Sequence, residues 1–562
     1  MKFTSNFRFT IAFLLILIAL SIAAQAQTPY PLEPGFQIDS VMVTRPNPNK
    51  MAWDAVSEHL FYCLPGGDLY EISMPTGQQA TESLVAVFAD HGITHPQGMH
   101  FRDSVLYLSG NTNATPGYVT ARISKGTLQP NGSRIWTTVV QTQPHPASKH
   151  PFTSVMTDPQ GLFLYWASGA RTMTGEIFDD NGLHPGRREG AYNSRLYKIP
   201  VNTTGLTLPS DSLALDSSGY VYCWGLRNAY DMDWNAAGDL FAIDNSGERD
   251  DPEELNWLQA GKHYGFPWKM GDHWNPLMNP NYDVNQDPLV NHLCGGYLDG
   301  IFAADPTFPA LPNTVLQDPI LNLGPSAIYY RDSLTGLVQN AFDIGGNLRS
   351  FTAHRSPLGL IIDRDSLFDG DFAGAGLVLS YMPGGDSTGM SPIAPWGTPG
   401  PFVDPCEDML KLDIQWNQGL GEYVMTSRRI IAGFYLPVDA VQVGNDVYVI
   451  EQRGGGRSNL WKVSFPLNNG SATSAPLRTY PLEAFPNPTR DKIEIYLHVG
   501  KPDLVNLLIT DVQGKGAMQA KDWHLQAGDN WLHLDLGKLP AGMYVVRAEG
   551  QQGTGALRIV VE

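Results

Sequence analysis

Two clusters between Gly225 and Trp268 carry side chains able to do chemistry. Arg227 and Asn228 stand side by side. A guanidinium fork suits carboxylates and an amide both donates and accepts, so the pair can hold an anionic, carbonyl-bearing ligand. The run Asp250, Asp251, Pro252, Glu253, Glu254 follows, and Tyr264 comes ten residues later in HYGFPW. Carboxylate and carbonyl oxygens gathered in a loop suit a hard cation such as calcium. Each cluster also has a plain structural reading: a turn contact for the Arg-Asn pair and a solvated face for the acidic run.

A strand must position both clusters. Leu240, Phe241, Ala242 and Ile243 follow an AAGD turn and run straight into the acidic loop. The same strand-turn-strand unit recurs from Met51, Pro96, Phe152 and Tyr230, and in weaker form from Ser356 and Leu436. Gly, Pro and aromatics are abundant and long 3.6-residue apolar patterns are nearly absent, so the chain is expected to be all-β. Six copies suggest a six-bladed β-propeller, with a two-sheet sandwich as the alternative. The copies are unevenly spaced, and the widest gap holds a Pro-, Asn- and His-rich insertion, 265–323, laid over one face.

Residues 1–26 have the build of a secretory signal. Lys2 and Arg8 precede an apolar run from Ile11 to Ala23, and Ala24, Gln25 and Ala26 form a small-x-small cleavage site. No later stretch is apolar for the length that spans a bilayer, so no integral membrane segment is expected in the mature chain. The net charge of −19, from 37 basic and 56 acidic residues, argues against a nucleic-acid partner. Cys63, Cys223, Cys294 and Cys406 show no CxxC or CxxCH spacing, which argues against zinc and covalent haem. Export makes disulfides chemically possible, with three connectivities, yet Cys63 and Cys223 lie in aromatic strand-like runs and read as small buried apolar residues.

The order GLRN, GDLFAIDN, Glu-Leu-Asn and KHYGFPW resembles the soluble glucose/sorbosone dehydrogenase family. The resemblance implies a six-bladed propeller that uses pyrroloquinoline quinone (PQQ) and calcium to oxidise a sugar and passes electrons to an external acceptor. It implies that Arg227 and Asn228 face the cofactor, with Arg227 also stabilising reaction charge. Glu254 through its side chain and Tyr264 through its main-chain carbonyl would hold calcium. His150, in SKHPFTSVMTDPQGLFLYWASGA, falls where the family keeps its general base. Family members commonly place an acidic residue before that histidine and a Gly-Asp pair after the aromatic strand; this chain has Lys149, and Gly169 with Ala170. Without a carboxylate partner the imidazole is a weaker base. Arg453 and Arg457, and His95 and Gln97, are further candidates to reach a ligand in the central channel. Two other activities fit the same scaffold: a non-catalytic, calcium-stabilised propeller binding glycan or protein, and a lactonase-type hydrolase using the metal itself.

After Phe465 the sequence LNNGSATSAP reads as a linker. The tail, from YPLEAFPNPTRDKI through LLITDVQGK to LPAGMYVVR, resembles the C-terminal sorting domain of the type IX secretion system, and its short strands read as a small immunoglobulin-like β-sandwich, an adhesion or carbohydrate-binding module being the alternative. The expected organisation is signal peptide 1–26, propeller 27–466, linker 467–479 and sorting domain 480–562. Such a tail implies the secretion machinery as partner and a secreted or cell-surface location.

Overall fold

The computed structural model describes residues 28–562 except 76, 383–401, 403, 405, 453–457, 468–477, 480–481, 500–501, 512–515 and 551–552. The signal segment, Arg453 and Arg457 lie outside the described residues. Two compact units are present, one up to Leu467 and one from Asn468.

The first unit is a six-bladed β-propeller. Blade 1 is Lys50–Asp54, His59–Cys63, Leu69–Ser73 and Thr81–Ala86, each strand antiparallel to the next. The innermost strands of the other blades are His95–Arg102, Phe152–Thr157, Ala229–Trp234, Pro357–Ile362 and Pro437–Val443. Each innermost strand touches the next around a closed ring, and the sixth touches the first. All six begin at or within two residues of the repeats read from the sequence. The outer strand of blade 6 is supplied from the other end of the propeller, because Gln37–Thr44 pairs antiparallel with Ser458–Ser464.

The alternation of each strand explains the ring. Leu60 and Tyr62 pack towards blade 6 with Val438 and Ile450, whereas Phe61 and Cys63 pack towards blade 2 with Leu106 and Leu108. In blade 4, Leu240 and Ala242 face blade 3 while Phe241 and Ile243 face blade 5. Both faces of the second strand of a blade are therefore buried, and that strand reads as a continuous apolar run. The AAGD turn forms as expected: Gly238 adopts φ +81°, and Asn235 N–H donates to Asp239 O at 3.0 Å. All four cysteines are buried and unpaired.

Near the axis Lys50, 4% exposed, lies 3.0 Å from Asp231 and 2.9 Å from Asp439. Asp231 also accepts from Ser154 and Leu360, so five of the six blades meet in one polar knot. Burial opposes the ammonium charge, but the two carboxylates outweigh it and raise the Lys50 pKa. Burial, with the neighbouring Asp231 charge, raises the Asp439 pKa to about 7 against the opposing pull of Lys50.

The second unit is a small immunoglobulin-like β-sandwich of a five-stranded and a three-stranded sheet. Along Lys492–Val499, Ile493, Ile495, Leu497 and Val499 enter its core, joined by Leu507, Ile509, Leu534 and Val546.

Candidate functional site

Loops entering the innermost strands form one rim of the channel, and most of the chemistry-bearing residues lie there. His150 stands two residues before the inner strand of blade 3, and its N–H donates to Ala170 O at 3.0 Å. The ring is half-buried, with Nε2 sealed from solvent and without a partner. Burial, then Arg227, then Lys149 push the His150 pKa well below the usual imidazole value. Lys149 itself lies 4.4 Å over the Phe178 ring. A Cβ on Gly169 would sit 2.5 Å from that of His150, so the segment crossing the histidine needs a glycine there.

Arg227 is 3% exposed, and its guanidinium is occupied by backbone carbonyls. Nε donates to Met173 O at 2.9 Å, and Nη1 to Asn245 O at 2.8 Å and Ser246 O at 2.6 Å. Asn228 Nδ2 donates to Asn245 Oδ1 at 3.0 Å. The segment 169–193 is thus strapped across Arg227. It is pinned on its far side by Arg188, which donates to Gly175 O at 2.6 Å and pairs with Asp305 of the insertion. His95 is exposed beside Thr94, whereas Gln97 Oε1 is buried without a partner. The unpartnered atoms of His150 and Gln97 fit a bound polar group at the rim; backbone carbonyls take the Nε and Nη1 donors of Arg227, while its Nη2 meets the Met173 sulfur at 3.9 Å.

All four acids in the run 250–254 are engaged by protein groups, three of them in the loop. Asp250 pairs with Arg331 and His354, Asp251 with Arg249 and His273, and Glu253 accepts N–H bonds from Ser246 and Ser356. Glu254 turns inward instead. It lies opposite Asp244 in the strand register, between blades 3 and 4, and accepts from Gly271 N–H at 2.6 Å and Asn256 Nδ2 at 2.8 Å. Asn256 Oδ1 is buried without a partner, and Tyr264 packs in the same cluster with its phenol tied to Trp257 O. Glu254, the orphaned amide oxygen of Asn256, and Asp244, whose two oxygens also accept the Arg227 and Asn228 N–H groups, offer oxygen donors of the kind that calcium takes. Asp244 and Asn256 are additions to the sequence expectation; their signal is the period of two through Glu254, Leu255 and Asn256 and its cross-strand partner.

With no cation, burial raises the Asp244 pKa to about 7, and burial plus Asp244 raises Glu254 well above the usual carboxylate range. The folded form then binds more protons than the unfolded one between about pH 4 and 7, so stability falls as pH rises through that window. Calcium reverses the loss. In urea unfolding, calcium is expected to add on the order of 3 kcal/mol over chelator at pH 7.5 and little at pH 5. Equal increments at both values would remove the ion from this pair.

Six blades of three to seven strands closed into a ring, with a polar rim and a buried oxygen-rich cluster beside it, define a β-propeller. Residues 94–288, covering blades 2 to 4, match the Glucose / Sorbosone dehydrogenase model, and residues 483–562 match the Secretion system C-terminal sorting domain. The chain thus carries a segment similar to the glucose/sorbosone dehydrogenase family and a type IX sorting domain, which directs it out of the cell or to its surface. No curated protein matches the chain. Similar solved structures include the apo soluble aldose sugar dehydrogenase of Escherichia coli (14% identity, TM-score 0.46, covering 77% of this chain and 100% of that one). Others are the holo PQQ domain of pyranose dehydrogenase from Coprinopsis cinerea (12%, 0.47, 78% and 98%) and PQQ-bound aldose sugar dehydrogenase from Streptomyces coelicolor (13%, 0.43, 77% and 99%). Among the described residues no helix is long and apolar enough to cross a membrane.

Proposed function

We propose that the chain is an exported oxidoreductase that oxidises a hydroxyl of an aldose with PQQ and calcium and passes electrons to an external acceptor. The observation that supports this reading is His150, a neutral imidazole at the rim whose Nε2 has no partner. A buried polar atom left unpaired is costly unless a ligand completes it. The quinone, when bound, supplies the two-electron acceptor. His150, Gln97 and Asn228 would hold it, and Glu254, Asp244, Asn256 and Tyr264 would hold calcium.

His150 takes the hydroxyl proton onto Nε2. Because burial and two nearby cations disfavour the imidazolium, the base form persists well below neutral pH and the captured proton is passed on readily. Arg227 acts one layer behind, fixing the carbonyls of Met173, Asn245 and Ser246 and with them the loop that carries Asn228's partner. A second reading, a non-catalytic propeller that keeps the cation and binds glycan or protein, is favoured by the occupied guanidinium of Arg227 and by Lys149 in place of a carboxylate.

Titration of the purified protein with PQQ and calcium, followed by quinone absorbance and then by dye reduction across an aldose panel, separates the two. Calcium-dependent binding is expected, with turnover that His150→Ala lowers at least ~100-fold. A folded, calcium-loaded protein that binds no PQQ leaves the second reading.

A further inference from the structure

His354 stands three residues before the innermost strand of blade 5, on the same rim as His150. Its Nε2 lies 2.8 Å from Asp250 Oδ1, and the other Asp250 oxygen accepts from Arg331 Nε at 2.8 Å. Asp250 is 3% exposed, while 31% of the His354 side chain is open to solvent. Nδ1 has no partner among the described residues. The ring is faced by Asp250, Asp251 and Glu253 from the acidic loop, by Arg331 through its pair with Asp250, and by Phe402, whose ring centre is 6.3 Å away.

The backbone holds this histidine in place. Arg355 is fully buried between Asp404 and Asp408, and the residues on either side of it, His354 and Ser356, adopt left-handed φ of +64° and +49°. Strain of this kind persists where the surroundings over-determine a conformation, and it concentrates at functional segments. Ser356 N–H donates to Glu253, whose other oxygen takes Ser246 N–H, and Ser246 O accepts from Arg227. His354 is therefore coupled through three hydrogen bonds to the arginine beside His150.

We propose that His354, oriented by Asp250, is a second acid–base residue of the rim and contacts a hydroxyl of the bound sugar through Nδ1. The assignment rests on the sugar-oxidising reading above and supplies at His354 the carboxylate partner that His150 lacks. Asp250 places the neutral ring's proton on Nε2, which leaves Nδ1 as acceptor; once protonated, Nδ1 becomes a donor. His150 takes the proton of the reacting hydroxyl; Nδ1 of His354 accepts a hydrogen bond from a neighbouring hydroxyl, or donates one to it after taking a proton from water, and forms no bond to carbon. Burial opposes protonation, but Asp250 outweighs it and raises the pKa above the ordinary imidazole value.

The test is carbethoxylation of the full-length protein with diethyl pyrocarbonate, read residue by residue by mass spectrometry, across pH and with an aldose panel as probes. His354 is expected to label with a midpoint above the ordinary imidazole value, and Asp250→Asn to move that midpoint down by about one pH unit. An aldose that supports turnover should protect His354 at least threefold, and His354→Gln should cut kcat/KM at least tenfold with PQQ binding unchanged. Absence of protection by every aldose, or His354→Gln turnover within twofold of the parent, overturns the assignment. If the protein binds no PQQ, the oxidoreductase reading falls and aldose protection of His354 alone decides the dyad; if His354→Gln fails to fold, the parent's footprint decides it.

Discussion

Arg227→Ala is expected to lower the unfolding free energy by about 5 kcal/mol in protein free of any ligand, measured by urea denaturation. Three backbone carbonyls lose their donors at once, each a buried acceptor worth about 1–3 kcal/mol when stranded, and Asp244 and Glu253 lose the nearest positive charge. An arginine that served only to grip a ligand would leave ligand-free stability within about 0.5 kcal/mol. The same substitution removes a charge that depresses His150, so the His150 pKa should rise and any acid limb in turnover should move to higher pH. Arg227→Lys restores the charge without the planar fork and should recover only part of the loss.

Lys50→Met should cost about 4 kcal/mol, because it leaves Asp231 and Asp439 facing each other, buried, with no cation between them. The signature is non-additivity. Asp439→Asn in the Lys50→Met background removes the repulsion and should recover stability, whereas in the parent it is destabilising. A calorimetric scan of the four proteins reads both effects, and simple additivity would show that Lys50 is a bystander at the axis. Since the knot joins five blades, Lys50→Met should also lower the cooperativity of propeller unfolding rather than loosen one blade.

The blades were legible in the sequence because burial on both faces of a blade's second strand imposes a pattern that turns punctuate: Met51, Pro96, Phe152, Tyr230, Ser356 and Leu436 mark six inner strands. The same logic exposed the alternating strand from Ile493 in the second unit. What the sequence withheld depends on distance along the chain. Arg227 and Asn228 could be singled out by type, but the partners of Arg227 are carbonyls, which every residue has, so nothing at Met173, Asn245 or Ser246 advertises the contact. Asp250 and His354 were each in view, one in an acidic run and one in HRSPLG, yet 104 residues separate them. Lys50 sits one residue before a recognised repeat and carries no local sign that it pairs with Asp231 and Asp439, both far along the chain.

The strand Gln37–Thr44 bears on how the propeller comes into being. Its partner, Ser458–Ser464, is made more than 400 residues later, so the edge of Gln37–Thr44 must wait unpaired while five blades are completed. Blades 1, 3 and 4 are built from strands consecutive along the chain and can assemble as local units, whereas ring closure is the longest-range step and bears the largest loop-closure entropy. Closure therefore acts as a kinetic checkpoint. Until it happens, the last blade lacks its outer strand, and the propeller is an open arc with two unsatisfied sheet edges.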